Sequence, residues 1–310
     1  MLFIIIGAVL LYFGAEGLVR GSASLAARAG ISPLIAGLTI VAFGTSAPEL
    51  SVSLSAALGG NPDISLGNVV GSNIFNIAVI LGIAALIQPL KIHLNVIRRD
   101  IPVMIASSAI AFGLILYGGF SRLAGIGLFL GLIFYLISAI RSGKSESGSA
   151  DEAAIDTPPL LSKSWMIDTV VLVAGLGVLL VGSRLFVDGA TSLAKSWGVS
   201  DAVIGLTVVA AGTSLPELAT SVVAAVRKQS DIAIGNIVGS NIFNVLCILG
   251  VTATVSPIHA SGIGMLDAGV MLFLSILLLP FALTKRKISR VEGAVFIGIY
   301  SVYLFMLWPA

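Results

Sequence analysis

Two stretches of this chain repeat each other at a fixed offset of 168 residues, and both lie inside apolar runs. GLTIVAFGTSAPEL begins at Gly37 and GLTVVAAGTSLPEL at Gly205. DISLGNVVGSNIFN begins at Asp63 and DIAIGNIVGSNIFN at Asp231, with no gap between the two registers. A period this long, held without insertion, predicts a fold assembled from two like halves. Packing alone would preserve only apolar character. Here Thr, Ser, Glu and Asn are kept inside the apolar runs, so the repeat carries chemistry as well as shape.

A helix needs about 20 apolar residues to cross a bilayer core. Ten segments qualify, at 2–28, 32–58, 64–88, 100–118, 122–141, 166–194, 201–226, 232–256, 264–284 and 290–309. Charged residues make up 10% of the chain, against about a quarter in soluble domains, too few to cover a water-facing surface. The expectation is an all-α polytopic membrane protein of ten transmembrane helices. Residues 1–142 form a first five-helix repeat, 143–164 a linker, and 165–310 a second repeat. Five is odd, so the second repeat enters the membrane with opposite polarity. Inverted repeats of this kind place a substrate site near the midplane, between the halves.

The basic residues orient the chain. With the N-terminus outside, 14 Lys and Arg fall on cytoplasmic connections and 3 (Arg122, Arg184 and Lys195) on the other side. Both termini are therefore expected to be extracytoplasmic in a cell membrane, with the linker in the cytoplasm. The opening MLFIIIGAVLLYFG has no basic leader and reads as an uncleaved first span. The Ser- and acid-rich linker reads as a flexible loop. Cys247, the single cysteine, excludes an intramolecular disulfide and reads as a small buried hydrophobe.

Glu49 and Glu217 occupy matching mid-span positions. A carboxylate there costs about 3 kcal/mol or more and is a functional candidate by default. Neither has a basic residue nearby in its own span before Arg227, so a cation from solution is the natural partner. Ala42, Thr45, Ser46 and Glu49 share one helical face at i, i+3, i+4 and i+7, and Ala210, Thr213, Ser214 and Glu217 repeat it. Asn68, Ser72 and Asn76 form a second stripe, repeated by Asn236, Ser240 and Asn244. A hard cation such as Ca²⁺ takes roughly six to eight oxygens from carboxylates, amides, hydroxyls and carbonyls. The spans offer no His or Cys at ligand spacing for softer metals. Small polar residues also glue membrane helices together, but a mirrored set around two glutamates favours ligands.

Pro48 and Pro216 add to this. A proline inside a helix donates no hydrogen bond and clashes with the preceding turn. The helices are expected to distort there and to turn carbonyls, such as those of Thr45 and Thr213, toward a cavity. Two carboxylates balance one Ca²⁺ or two Na⁺, so one cavity that either set can fill is a basis for exchange.

GTSAPEL and GTSLPEL, each followed by GNVVGSNIFN or GNIVGSNIFN, resemble the two alpha-repeats of the sodium/calcium exchanger family, within the calcium/cation antiporter superfamily. The resemblance implies a Na⁺/Ca²⁺ antiporter working by alternating access, with Ca²⁺ and Na⁺ as transported substrates and no cofactor. It implies that Glu49, Thr45, Ser46, Ala42, Ser72 and Asn76, with Glu217, Thr213, Ser214, Ala210, Ser240 and Asn244, line the ion sites. It also implies that the long first and sixth spans slide across the core. Asn244 stands where potassium-dependent relatives carry Asp, which disfavours potassium dependence. GTSxPE stands where the proton-coupled branch carries GNxxE, which favours Na⁺ over H⁺. The short linker leaves no room for the large regulatory domains of animal exchangers.

The alternatives are an H⁺-coupled Ca²⁺/cation antiporter using the same glutamates and, from another class, a cation channel. An enzyme is not expected, since the chain has no HExxH, no GxSxG and no phosphate-binding glycine loop. No nucleic-acid partner is expected. Glu16 and Arg184 occupy matching positions at the 168-residue offset, as do Arg20 and Asp188. They read either as contacts that gate the long spans or as snorkelling side chains. His93 and His259 are assigned no role.

Overall fold

The computed structural model describes residues 1–146, 160–197, 210–260 and 264–307. An apolar chain in lipid must satisfy its backbone hydrogen bonds within each segment, and helices do so. The described helices are α1 (Leu2–Ala29), α2 (Pro33–Thr45), α3 (Ala47–Leu58), α4 (Ile64–Ile87), α5 (Val96–Leu116), α6 (Arg122–Glu146) and α7 (Trp165–Ser196). After them come α8 (Ala210–Gly212), α9 (Leu215–Val226), α10 (Ser230–Val255), α11 (Met265–Leu283) and α12 (Arg290–Leu307). Eight of these are long and apolar enough to span a membrane. The pair α2 and α3 qualifies together but bends by 43° at Ser46. The chain is thus an all-helical polytopic membrane protein.

Most predicted spans fall within a few residues of an observed helix. The segment 32–58, expected as one span distorted at Pro48, is broken at the residue before Ala47–Pro48, where the proline withholds a donor. Helix α5 starts earlier than expected, in a π-turn over Val96–Asp100, and α6 continues past Arg141 to Glu146. The segment 201–226 is described only from Ala210, as α8 and α9; its first part lies outside the described residues.

The 168-residue period reappears in the backbone. Helices α3 and α9 match end for end. Helix α4 loosens into a π-helix over Asn76–Leu81, and α10 does so over Asn244–Leu249. Four two-residue strands, β1 (Leu90–Lys91), β2 (Gly119–Phe120), β3 (Ile258–His259) and β4 (Lys287–Ile288), pair antiparallel as β1 with β4 and β2 with β3. Each pair joins a connection of one half to a connection of the other, at the two ends of α5. Gly119, at φ 132°, packs so tightly that a Cβ would lie 2.0 Å from the carbonyl of Ile258.

The most apolar 18 residues of α10 are all buried inside the protein, against 11% of those of α12, so α10 lies in the core and α12 at the periphery. Helices α1 and α7 form a separate close pair. Gly7, Gly14 and Gly21 of α1 face Phe186, Leu179 and Leu172 of α7, and Gly175, Gly182 and Gly189 face back. Each seven-residue step up α1 is a seven-residue step down α7, so the two run antiparallel. Small residues at this spacing let helix backbones approach closely in lipid, where packing must replace the hydrophobic effect.

At one end the pair is clasped. Asp168, fully buried, accepts hydrogen bonds from Ser24 Oγ (2.6 Å), Arg28 Nε (2.6 Å) and Ser162 Oγ (2.7 Å). Arg28 also donates to the Ser162 carbonyl (2.7 Å).

Candidate functional site

The bend at Ser46 brings the start of α3 against α10 of the other half and Glu49 within hydrogen-bond reach of Ser214, the residue before α9. Pro48 stands in the first turn of α3 and Pro216 in that of α9, where a missing N–H costs least. Glu49 and Glu217 follow in the same turns. Both side chains are 1% exposed, and the two carboxylates are close enough to interact electrostatically.

The hydrogen bonds around them are reciprocal. Ser46 Oγ donates to Glu217 Oε1 at 2.9 Å, and Ser214 Oγ donates to Glu49 Oε1 at 3.2 Å. Each carboxylate is therefore held by the serine of the opposite half. Asn68 Nδ2 donates to the Glu49 carbonyl (3.2 Å) and to Ser53 Oγ (3.0 Å). Asn236 does the same for the Glu217 carbonyl (3.3 Å) and Ser221 Oγ (3.0 Å). The amide oxygens then accept across the halves: Thr45 Oγ1 donates to Asn236 Oδ1 (3.1 Å) and Thr213 Oγ1 to Asn68 Oδ1 (3.4 Å). Ser72 Oγ lies 3.2 Å from Ser214 Oγ.

These bonds leave oxygens over. Glu49 Oε2, Glu217 Oε2, Asn76 Oδ1 and Asn244 Oδ1 are among ten buried side-chain atoms without a hydrogen-bond partner among the described residues. No ion pair reaches either carboxylate among the described residues. Burying an ionised carboxylate without a counter-charge is strongly unfavourable, and buried polar atoms are ordinarily satisfied. One oxygen of each carboxylate, buried with neither a donor nor a counter-charge, fits a cation better than a packing role. Among the described residues no three His, Cys, Asp or Glu side chains come together in a way that could hold a metal ion. The set is thus rich in neutral oxygen, as hard cations require.

Of the residues expected at the site, Glu49, Glu217, Ser46, Ser214, Thr45, Thr213 and Ser72 are joined by direct bonds. Asn76, Asn244 and Ser240 lie on α4 and α10, buried. Ala42 is buried in α2, and Ala210 opens the turn α8. Asn68 and Asn236, members of the second polar stripe, hold the glutamate backbone, and the structure adds Ser53 and Ser221 as their partners. It also adds Asn73, whose Oδ1 accepts from Asn244 Nδ2 (2.9 Å) and whose Nδ2 donates to the Asn241 carbonyl (3.3 Å). The repeated SNIFN motif was the signal for Asn73. Ser46 also lines a small crevice with Phe43, Ala47, Leu50, Phe243 and Cys247. Asn76 and Asn244 each open a π-helical turn, a feature frequent at functional sites.

The family model described as sodium/calcium exchanger protein matches residues 1–141 and 167–308. The inner membrane protein YrbG of Escherichia coli is 37% identical over 98% of this chain and 95% of its own length. The sodium/calcium exchanger MaX1 of Methanosarcina acetivorans is 32% identical over 99% of this chain and 98% of its own. The sodium-calcium exchanger NCX_Mj, in a structure soaked with 2.5 mM Na⁺ and 0.1 mM Ca²⁺, superposes with a TM-score of 0.85 at 35% identity, covering 99% of this chain and 98% of that one. With the helical plan and the repeated motifs, these matches make the chain a member of the sodium/calcium exchanger family.

Proposed function

We propose that this protein exchanges Na⁺ for Ca²⁺ across the cell membrane by alternating access, with both ions competing for the cavity around Glu49 and Glu217. The observation that carries this reading is the reciprocal pair Ser46–Glu217 and Ser214–Glu49, with the second oxygen of each carboxylate buried and unsatisfied. Two carboxylates neutralise one Ca²⁺ or two Na⁺. Asn76, Asn244, Ser240, Ser72 and the hydroxyls and carbonyls of Thr45 and Thr213 supply neutral oxygen. Ala42 and Ala210 contribute backbone oxygen at the flanks. A cation entering between the halves competes with the serine hydroxyls for carboxylate oxygens. Ion occupancy is thereby coupled to how the halves contact each other.

In this reading the chain has ten spans in two inverted repeats, residues 1–142 and 165–310, joined by a cytoplasmic linker at 143–164. Both termini are extracytoplasmic. The antiparallel α1–α7 pair is the unit that moves against the site-bearing helices. Its glycine-packed interface and the Asp168 clasp support motion as one body.

The test is ⁴⁵Ca²⁺ uptake by reconstituted vesicles loaded with Na⁺ and diluted into Na⁺-free buffer, with a pH gradient as the control drive. The reading predicts uptake that requires internal Na⁺. Uptake that follows the pH gradient and ignores Na⁺ would assign the same site to proton coupling.

A further inference from the structure

The two halves differ in charge at one contact between the α1–α7 pair and a site-bearing helix. Glu16 of α1 accepts from Arg227, the residue that caps α9: Nε donates to Oε2 at 3.0 Å and Nη2 to Oε1. Arg20, one turn along α1, also pairs with Glu16 Oε1. The Glu16 side chain is 13% exposed and that of Arg227 42%. The Glu16 carboxylate, by hydrogen bond and by charge, holds the Arg227 guanidinium above its ordinary value, and Tyr12 adds to this. Glu217 lies on the same helix, about 15 Å from Arg227 along its axis.

Shifting each residue by 168 shows what the other half offers. Glu16 becomes Arg184, Arg20 becomes Asp188, Tyr12 becomes Leu180 and Arg227 becomes Gly59. Gly59 caps α3 with φ −76° and ψ 3°; Arg227 caps α9 with φ −77° and ψ 2°. The backbone is the same and the ion pair has no counterpart. In a transporter built from inverted repeats, the two access states are related by exchanging the conformations of the halves. A contact that only one half can make favours one state over the other.

Resting on the alternating-access reading above, we propose that the Glu16–Arg227 ion pair is a state-selective latch. It holds α1 to the end of α9 in this conformation, and it opens when the halves exchange. Glu16 and Arg227 are then positioning residues, acting on Glu217 through α9.

The test uses the full chain in lipid nanodiscs, with Cys247→Ser and nitroxide labels at Leu2 of α1 and Val255 of α10, both exposed. Distance distributions are measured by pulsed electron resonance with and without Na⁺ and Ca²⁺, beside ⁴⁵Ca²⁺ uptake. Glu16→Gln and Arg227→Gln should each shift the population about 2- to 5-fold toward a second distance, the range for a partly exposed pair. The double variant should shift it no further than either single one. Unchanged distributions, or additive single effects, in a protein whose wild type alternates with ions would overturn the latch alone. A wild type that shows one distance under every ion condition and moves no ⁴⁵Ca²⁺ would overturn the alternating-access reading and the latch with it.

Discussion

Ser46, at the break between α2 and α3, donates its hydroxyl to Glu217 of the opposite half at 2.9 Å. The bond spans 171 residues of sequence and ties the bend of one half to the acid of the other. With its mirror, Ser214 to Glu49, it explains why serine, proline and glutamate recur together in both repeats. The proline frees the turn, the serine crosses the interface, and the glutamate receives it.

Glu49→Gln and Glu217→Gln should make the ion-free protein more stable while removing its stabilisation by Ca²⁺. Two neighbouring buried carboxylates repel and are poorly solvated, so replacing one with a neutral isostere should gain about 1–3 kcal/mol. Thermal unfolding in detergent, with and without Ca²⁺, reads both effects. The wild type should gain melting temperature as Ca²⁺ is added and each variant should not.

Asn68→Ala and Asn236→Ala should each cost about 1–3 kcal/mol of stability, because a buried carbonyl and a buried serine hydroxyl lose a donor together. Since the amide also fixes the backbone of Glu49 or Glu217, Ca²⁺ affinity should fall in the same variants. Chemical or thermal unfolding beside a Ca²⁺ titration checks this, and equal affinities would remove the asparagines from the site's support.

Gly14→Ala should loosen the α1–α7 pair. A methyl there would sit 2.4 Å from the backbone nitrogen of Leu179, and backbone cannot swing aside. A loss of about 1–3 kcal/mol is expected from overpacking. Gly177→Ala, on the open face of α7 with nothing within 4 Å, is the control. It should be neutral or stabilise by up to about 1 kcal/mol through helix propensity.

Asp168→Ala should separate the same two helices at their clasped end. It strips three donors of their acceptor and leaves the part-buried Arg28 without its carboxylate. Breaking a buried pair from one side costs about 3–5 kcal/mol. Hydrogen exchange should show faster opening at the end of α1 and the start of α7, with the amides of α10 unchanged.

Much of this was legible in the sequence, and the limits have a physical pattern. Apolar runs of about 20 residues specify helices in lipid because nothing else satisfies the backbone there. The 168-residue period marked Glu49, Glu217 and their serines because polar residues inside such runs are costly. Contacts between the halves were not legible. Ser46 could have faced either glutamate, and only the docking of one half on the other makes the exchange reciprocal. Asn68 and Asn236 read as ligand candidates from their stripe, but their amides are committed to holding the glutamate backbone. Glu16 matched Arg184 by offset, yet its partners are Arg20 and Arg227. The π-turns at Asn76 and Asn244 leave no mark in an apolar pattern, since one added residue per turn shifts a face without changing composition.

The most direct measurement is equilibrium binding of ⁴⁵Ca²⁺ to the purified protein, titrated with Na⁺, for the wild type, Glu49→Gln and Glu217→Gln. The wild type should bind Ca²⁺ and release it steeply as Na⁺ rises, with more than one Na⁺ needed per Ca²⁺. Each variant should bind about 100-fold or more weakly, the loss expected when one partner of a buried charge interaction worth about 3 kcal/mol is removed. Wild-type affinity retained in Glu217→Gln, or binding that Na⁺ does not displace, would contradict a shared cation site between the two glutamates.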